Sequence, residues 1–370
     1  MLKTREDILN KNPDRARGKR VFVGLSGGVD SALSAALLKD QGFDVTGVFI
    51  KGWQPDWLPC TWREERRDAM RVAVALDIPF LFFDFEKEYK QAVVDKMLEE
   101  YRHNRTPNPD VLCNRMIKFG LFWEKAKELG ADFIATGHYA INQLAGDSFQ
   151  LMEGEDKEKD QSYFLWTLTQ NDLSHTLFPV GHLEKSEVRA LAKKLELPNA
   201  EKKDSQGICF MGSVSMNDFL SKFIASSPGA VVDGRGNIIG AHRGLIFYTI
   251  GERHGFEITK KSASSGPFYV IAKDVEKNRL VVSDKKEEII SSSPKRVLIS
   301  DTNWFKKLTT QVSARIRHRG EKHSCVVFSA EEGEIVEFDR SVPGLSLGQS
   351  IVFYNREECI GGAIMSKVVS

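Results

Sequence analysis

A chain of 370 residues, 41% hydrophobic and 28% charged, has the composition of an ordinary soluble protein and enough length for one large core and at least one accessory module. No apolar run approaches the length of a membrane span, and five widely spread cysteines without a CxxC pair suggest neither a disulfide framework nor a zinc ribbon or close-pair iron–sulfur site. The formal charge of +1 hides local patches, so it neither supports nor excludes nucleic acid. Residues 1–18 read as an N-terminal extension. Met1 to Lys19 mixes Lys and Arg with Glu6, Asp7 and Asp14 and has no apolar h-region, which argues against a secretory signal or transit peptide and makes the cytoplasm the default.

The first strand is expected over Val21–Leu25, and a helix over Ala32–Asp40. Between them lies Ser26-Gly27-Gly28-Val29-Asp30-Ser31. Strand, glycine-rich turn and helix N-terminus together present backbone N–H groups to a phosphate. Glycines let the backbone approach the anion without a Cβ in the way, and the two serine hydroxyls add donors. No Lys follows the glycines as in a Walker loop, and the GxGxxG spacing is absent. The other reading of these residues is a tight turn with two glycines.

Further strands are expected over Asp44–Ile50, Phe80–Phe85 and Asp132–Ala135, and helices over Arg63–Leu76, Glu86–Tyr101 and Ile117–Leu129. Alternation of this kind implies an α/β fold, a doubly wound parallel sheet whose ligands bind outside the carboxyl ends of the strands. The turns after Leu25, Ile50 and Ala135 should therefore converge, with Thr136-Gly137-His138-Tyr139 lining the same crevice. This first domain is expected over 19–227. From Pro228 the chain turns to short alternating runs broken by Gly and Asp, expected to form a small β-rich domain over 228–290. After Ser291-Ser292-Ser293-Pro294, strands at Arg296–Ile299, Gln311–Arg319, Ser324–Phe328, Glu334–Phe338 and Ser350–Tyr354 predict a small β-barrel over 291–370.

Two cysteines stand in unusual company. Cys113 ends Thr106-Pro107-Asn108-Pro109-Asp110-Val111-Leu112-Cys113, where two prolines make a rigid loop. A helix restarting at Asp110 would be capped by it and would hold Cys113 in its first turn, where the helix N-terminus and Arg115 favour a thiolate. Cys209 ends the polar run Lys202-Lys203-Asp204-Ser205-Gln206-Gly207-Ile208-Cys209. In a reducing compartment the plain alternative for either is a small buried hydrophobe. Cys60 is expected to be a structural thiol, Cys325 and Cys359 bystanders, and His175 and His182 lack partners at metal-ligand spacing.

In these motifs the chain resembles the tRNA-specific 2-thiouridylases of the PP-loop ATP pyrophosphatase superfamily. The resemblance runs from Val21 to about Ile364. It rests on Gly24 to Ser31, Asn108 to Cys113, Thr136 to Tyr139, Lys159-Asp160-Gln161-Ser162-Tyr163-Phe164, Asp204 to Cys209, Ala314 to His318 and Leu347-Gly348-Gln349. It implies ATP and Mg²⁺ as cofactors, with Gly24, Leu25, Ser26, Gly27, Gly28, Val29, Asp30, Ser31, Ile50 and Gly137 around the nucleotide.

The resemblance further implies a tRNA anticodon loop with a wobble uridine as substrate and a persulfide donor protein as partner. Cys209 carries the sulfur, Cys113 resolves it with a Cys113–Cys209 disulfide as product, and Asp110 serves as acid or base. It places Asn108, Pro109, Asp110, His138, Lys159, Asp160, Gln161, Arg317, His318 and Gln349 against tRNA. Lys159 to Gln161 also read as the end of a solvated charged loop. Arg315, Arg317 and Arg319 alternate, so one strand face would carry all three, which suits a phosphate backbone. His318 then needs a bulge or strand end to share that face.

Two rivals remain at this point: an amide-forming PP-loop synthetase acting on a small molecule, and an RNA-binding protein without catalysis. The first leaves the paired cysteines unexplained, the second the intact loop. A tRNA sulfurtransferase that uses a cluster would need the CxxC pairs this chain lacks.

Overall fold

The computed structural model describes residues 18–203, 214–259, 266–306 and 311–369. By contact the chain divides into two compact units: 1–94 with 109–213 and 355–360, and 95–108 with 214–354 and 361–370.

The first unit is built on a parallel sheet. Its strands are β1 (Arg20–Gly24), β2 (Asp44–Lys51), β3 (Phe80–Asp84), β4 (Phe133–Ala135) and, after the β5–β6 hairpin described below, β7 (Thr176–Leu177), in the order β3-β2-β1-β4-β7. In β1, Val21, Phe22 and Val23 are all at most 2% exposed, so the central strand is a continuous apolar run buried on both faces. Helix α1 (Val29–Asp40) is buried from Ser31 to Leu38 and ends where Lys39 and Asp40 reach solvent and Gly42 takes a positive φ. Helix α2 (Trp62–Ala75) is amphipathic, burying Ala69, Val72 and Ala73. The order reverses beside β1, whose neighbours are β2 and β4 (Gly24 opposite Val48, Val23 opposite Ala135), and that is where open α/β sheets bind ligands.

A helical run over 109–128, here α3, starts one residue before the expected Asp110. Pro109 takes the first helical position, where its missing N–H costs nothing, and Asp110 lies inside the first turn instead of capping it. Residues Asn114–Leu121 form a π-helical segment. Gly120 suits it, because a Cβ there would meet the Arg115 carbonyl oxygen at 2.9 Å. The hairpin of β5 (Ala140–Ala145) and β6 (Ser148–Glu153), and helix α4 (Lys185–Lys194), are elements the sequence pattern did not single out.

In the second unit a five-stranded sheet runs in the order 257–258, 238–242, 229–232, 279–283, 269–274, with 229–232 and 279–283 parallel. Six further strands close a barrel: 296–304, 333–338, 323–330, 312–315, 350–355 and 358–369, the last pairing back onto the first from Arg296–Val369 to Trp304–Gly361. The 358–369 strand was not expected. Its Cys359-Ile360-Gly361-Gly362-Ala363-Ile364-Met365 run lacks the period-two signal of a half-exposed strand, since Cys359, Ile360, Ala363 and Met365 are all buried. The expected strand Gln311–Arg319 is shorter, ending at Arg315.

Candidate active site

The loop between β1 and α1 holds its shape through its own hydroxyls. Ser31 Oγ donates to the Gly28 carbonyl (3.1 Å) and accepts from the Ser26 amide (3.2 Å), while Ser26 Oγ accepts from the Gly28 amide (3.3 Å). Gly27 has φ +77°, and a Cβ there would lie 2.6 Å from the Glu65 carbonyl oxygen, so glycine is required twice over. Asn199, 6% exposed, donates from Nδ2 to the Gly27 carbonyl (3.0 Å). Gly137 packs directly on the start of α1: a Cβ would sit 2.7 Å from the Ser31 amide nitrogen. At Gly24 an added Cβ would lie 3.7 Å from the Phe122 ring of α3. Leu25 and Val29 are buried at 2% and face the core, so only their backbone is available to a ligand. Ile50 is half-buried near the end of β2, opposite Phe83.

Asp30 sits in the first turn of α1, and its carboxylate is bonded from outside the loop. Lys185 Nζ donates to both carboxylate oxygens (2.6 and 2.8 Å), and Tyr139 donates its hydroxyl to Oδ1 (2.7 Å). Lys185 begins α4, where its backbone N–H donates to Asp156 Oδ2 (3.0 Å). Lys185 and Asn199 were missed by sequence reasoning. Neither stands in a recognisable motif, and the 155 residues between Asp30 and Lys185 leave no local spacing to read.

The other motifs of this unit meet around α3. Asn114, 1% exposed, donates to the Phe164 carbonyl (3.0 Å), joining the Cys113 helix to the Ser162–Phe164 turn. Phe119 packs against the His138 ring at 5.7 Å. Gln161 clamps Tyr139 from both sides: its Oε1 accepts from the Tyr139 amide (3.0 Å) and its own amide donates to the Tyr139 carbonyl (2.8 Å). Asp160, 2% exposed, accepts from the amides of Gly154 and Ser162 (3.1 Å each) and so shapes the turn instead of lying on a solvated face. Lys159 is half-buried on that turn, its amide donating to the Asp156 carbonyl (3.0 Å).

Chemical character differs among these residues. His138 is buried, its Nδ1 2.7 Å from Thr136 Oγ1, and burial, then the Lys118 charge, holds its pKa well below the ordinary histidine value. It is a neutral imidazole. Asp110 is pushed up by burial, partly opposed by Lys118, which favours a carboxyl able to carry a proton. Cys113 is buried at 5% exposure, while Arg115 is exposed. Cys209 lies outside the described residues. The chain just before it is anchored by Lys202, whose ammonium lies 2.7 Å from Asp68 of α2. Cys60, expected to be a structural thiol, is exposed, whereas Cys325 and Cys359 are fully buried, Cys325 pushed up to about 12 by burial.

Among the described residues no group of three or more His, Cys, Asp or Glu side chains could hold a metal ion. A single carboxylate beside a phosphate-type loop fits Mg²⁺ that arrives on a nucleotide's phosphates rather than a resident ion. Asp30 is the residue that fits it.

In the second unit, the 105–108 segment is tied to the turn 346–349: the Thr106 amide donates to the Leu347 carbonyl (2.8 Å), and Gln349 Nε2 donates to the Pro107 carbonyl (3.2 Å). Asn108 is half-buried at the end of that segment. The expected face of three arginines is not formed. The strand stops at Arg315, whose guanidinium lies over the Tyr354 ring at 5.1 Å, and the chain then turns, Arg319 taking φ +59°. Arg317 and Arg319 are exposed on this turn and His318 between them is half-buried. The strand end that His318 needed is present, and the alternation that put Arg315 with the other two is not.

Comparison with known proteins covers nearly the whole chain. Residues 19–213 match a family model described as tRNA methyl transferase HUP domain, 217–284 the tRNA methyl transferase PRC-barrel domain, and 294–365 the aminomethyltransferase beta-barrel domain. The tRNA-specific 2-thiouridylase MnmA of Bacillus subtilis (strain 168) is 43% identical over 362 residues, 96% of either chain. The proteins of the same name from Listeria monocytogenes (serotype 4a, strain HCC23) and Pseudomonas putida (strain GB-1) are each 43% identical, covering 94% of this chain and 95% and 94% of their own. At that identity and that coverage, the chain belongs to the tRNA-specific 2-thiouridylase family.

Proposed function

We propose that this protein is a tRNA-uridine 2-sulfurtransferase that adenylates the C2 oxygen of a wobble uridine with ATP and then replaces that oxygen with sulfur. The observation that carries the reading is the placing, in one compact unit, of a glycine loop at a helix N-terminus and the helix that bears Asp110 and Cys113, with Phe119 of that helix against His138 and Asn114 bonded to Phe164. The full-length similarity to 2-thiouridylases supports it.

The uracil C2 carbonyl is a poor electrophile and its oxygen a poor leaving group. Attack of that oxygen on the α-phosphorus forms an O–P bond and releases pyrophosphate, for which the amides of the Ser26–Ser31 loop and the α1 N-terminus are suited. Asp30 would be the residue to hold a nucleotide-borne Mg²⁺, which would supply charge neutralisation there. The terminal sulfur of a Cys209 persulfide then forms the C–S bond, either directly or after release as sulfide by Cys113. AMP departs with the former carbonyl oxygen. In either branch Cys113 attacks Cys209 Sγ and breaks its S–S bond, so that the terminal sulfur leaves with the electron pair and a Cys113–Cys209 disulfide remains, which an external thiol reduces before the next turnover. Asp110, raised by burial, carries a proton to or from the uracil.

A base must leave its stack to reach this chemistry. Asn108, Pro109 and Asp110 are assigned to the target base, and His138, Lys159, Asp160 and Gln161 to tRNA contact, His138 and Asp160 as buried positioning groups. Arg317, His318 and Gln349 are assigned to RNA contact. A persulfide-carrying protein is the sulfur source, and the cytoplasm the site of action. No described helix is long and apolar enough to cross a membrane.

The test is nucleoside mass spectrometry on an unmodified tRNA transcript incubated with enzyme, ATP, Mg²⁺ and a persulfide donor. The expected product is a wobble nucleoside heavier by the sulfur-for-oxygen difference, lost in Cys113→Ser and Cys209→Ser. AMP formation without any thiolated nucleoside would transfer the assignment to a small-molecule synthetase.

A further inference from the structure

Asp30 presents an electrostatic problem. Its carboxylate stands in the first turn of α1, the helix whose N-terminus and loop are built to receive the phosphates of ATP. A bare carboxylate there would repel a polyphosphate in a partly desolvated pocket, where like charges interact more strongly than in water. Among the described residues a lysine meets that charge. Lys185 Nζ bonds both Asp30 oxygens, and its side chain is only 12% exposed against 30% for Asp30, so this is not a mobile surface pair. Its position is set independently at the backbone, through the bond of its amide to Asp156, and its ammonium lies 5.7 Å from the centroid of the Tyr139 ring, whose hydroxyl takes a third position on Asp30.

We propose that Lys185 is a positioning residue for the nucleotide loop: it neutralises Asp30 and fixes its rotamer, so that the loop accepts ATP before any divalent cation reaches the carboxylate. This rests on the ATP-binding reading above. The Lys185–Asp30 pair is then the ground state that a nucleotide-borne cation displaces, and Tyr139 keeps the carboxylate oriented through the exchange. Lys185 acts through Asp30, which separates its role from that of a residue needed only for the fold.

Equilibrium binding of ATP, measured by calorimetry in EDTA and again in excess Mg²⁺, tests this without reference to turnover. Lys185→Met keeps the stem and removes the charge. It should weaken ATP binding in EDTA about tenfold or more and have a smaller effect with Mg²⁺, while Lys185→Arg restores most of the loss. The double variant Lys185→Met/Asp30→Asn, with both charges gone, should bind ATP in EDTA more tightly than Lys185→Met. If Lys185→Met does not fold, Asp30→Asn alone decides. It leaves an uncompensated ammonium beside the phosphates, so binding in EDTA must tighten. Unchanged affinity in Lys185→Met or in Asp30→Asn, or a double variant no better than Lys185→Met, overturns the proposal. A parent protein that binds no ATP under either condition defeats the ATP reading itself, a distinguishable result.

Discussion

The nucleotide loop of the first unit and the arginine turn of the second are both assigned to phosphates, yet they are built in opposite ways. The loop is made of backbone. Gly27 and Gly137 each bring main chain against main chain at distances that exclude a Cβ, and Ser26 and Ser31 bond inward to the loop itself. The turn at Arg317–Arg319 is made of side chains on a bend where Arg317 and Arg319 are exposed. A backbone site recognises an anion by shape and has no tolerance for added volume. A side-chain site recognises it by charge, and its strength follows salt.

The largest effect should come from the charged member of the loop. Asp30→Ala should abolish pyrophosphate release, by roughly a thousandfold or more, measured with tRNA present; normal release would remove the loop from the reaction. Gly137→Ala should come next. Its new Cβ would fall under 3 Å from Ser31 N and Asp30 Cβ, which predicts a loss of about 2–3 kcal/mol in denaturant unfolding and a matching fall in ATP affinity. If Gly137→Ala is as stable as the parent, the backbone-built description fails.

Arg317→Ala should be milder and different in kind. Stability should change by no more than about 0.5 kcal/mol, while tRNA affinity falls by about 1 kcal/mol and the salt slope loses about one counterion. An affinity loss that ignores salt would contradict the charge-only reading.

A smaller effect separates the buried groups. His138 and His175 are both held below the ordinary histidine value of 6.5 by burial, His175 to about 4, with Asp172 opposing and Lys127 adding to the shift. Depressed folded values mean that the unfolded chain takes up protons first. The contribution of His175 is present above pH 6.5 and is lost as pH falls toward 4, and that of His138 is lost in the same direction. His175→Phe, which can retain the 3.7 Å stack on Trp123, should flatten the fall of Tm across that window. Asp110 runs the other way. Its raised value means that its contribution is present below the ordinary carboxyl value of 3.8 and lost as pH rises through the folded one. Asp110→Asn should therefore raise Tm slightly at neutral pH while thiolation falls, and a Tm lowered there would overturn a shift dominated by burial.

Local pattern and local chemistry decided a good deal of this molecule. The apolar runs at Val21–Val23 and Val45–Phe49, the glycine-serine loop between strand and helix, and the two prolines before Asp110 are readable because each depends on neighbours within a few residues. Their identities alone point to a parallel sheet and a phosphate loop. Where local signals weaken, so does the reading. The Gln311–Arg319 alternation continues past the point where the strand ends, because pairing with 323–325 and 352–354 supports only Val312 to Arg315. The last barrel strand carries no alternation because much of it is buried in a closed barrel.

What tertiary structure alone decided is which side chains serve the motifs. Lys185 on Asp30, Asn199 on Gly27, Gln161 around Tyr139 and Gln349 on Pro107 join residues from 22 to 242 positions apart. A hydrogen bond needs two atoms within about 3 Å and says nothing about how far apart they lie in the chain. The sequence determines which groups can accept phosphate, carry sulfur or move a proton, because those are properties of single residues and short turns. Which carboxylate is neutralised, which histidine stays uncharged and which aspartate becomes a turn anchor are set by burial and by partners, and those exist only once the chain has folded.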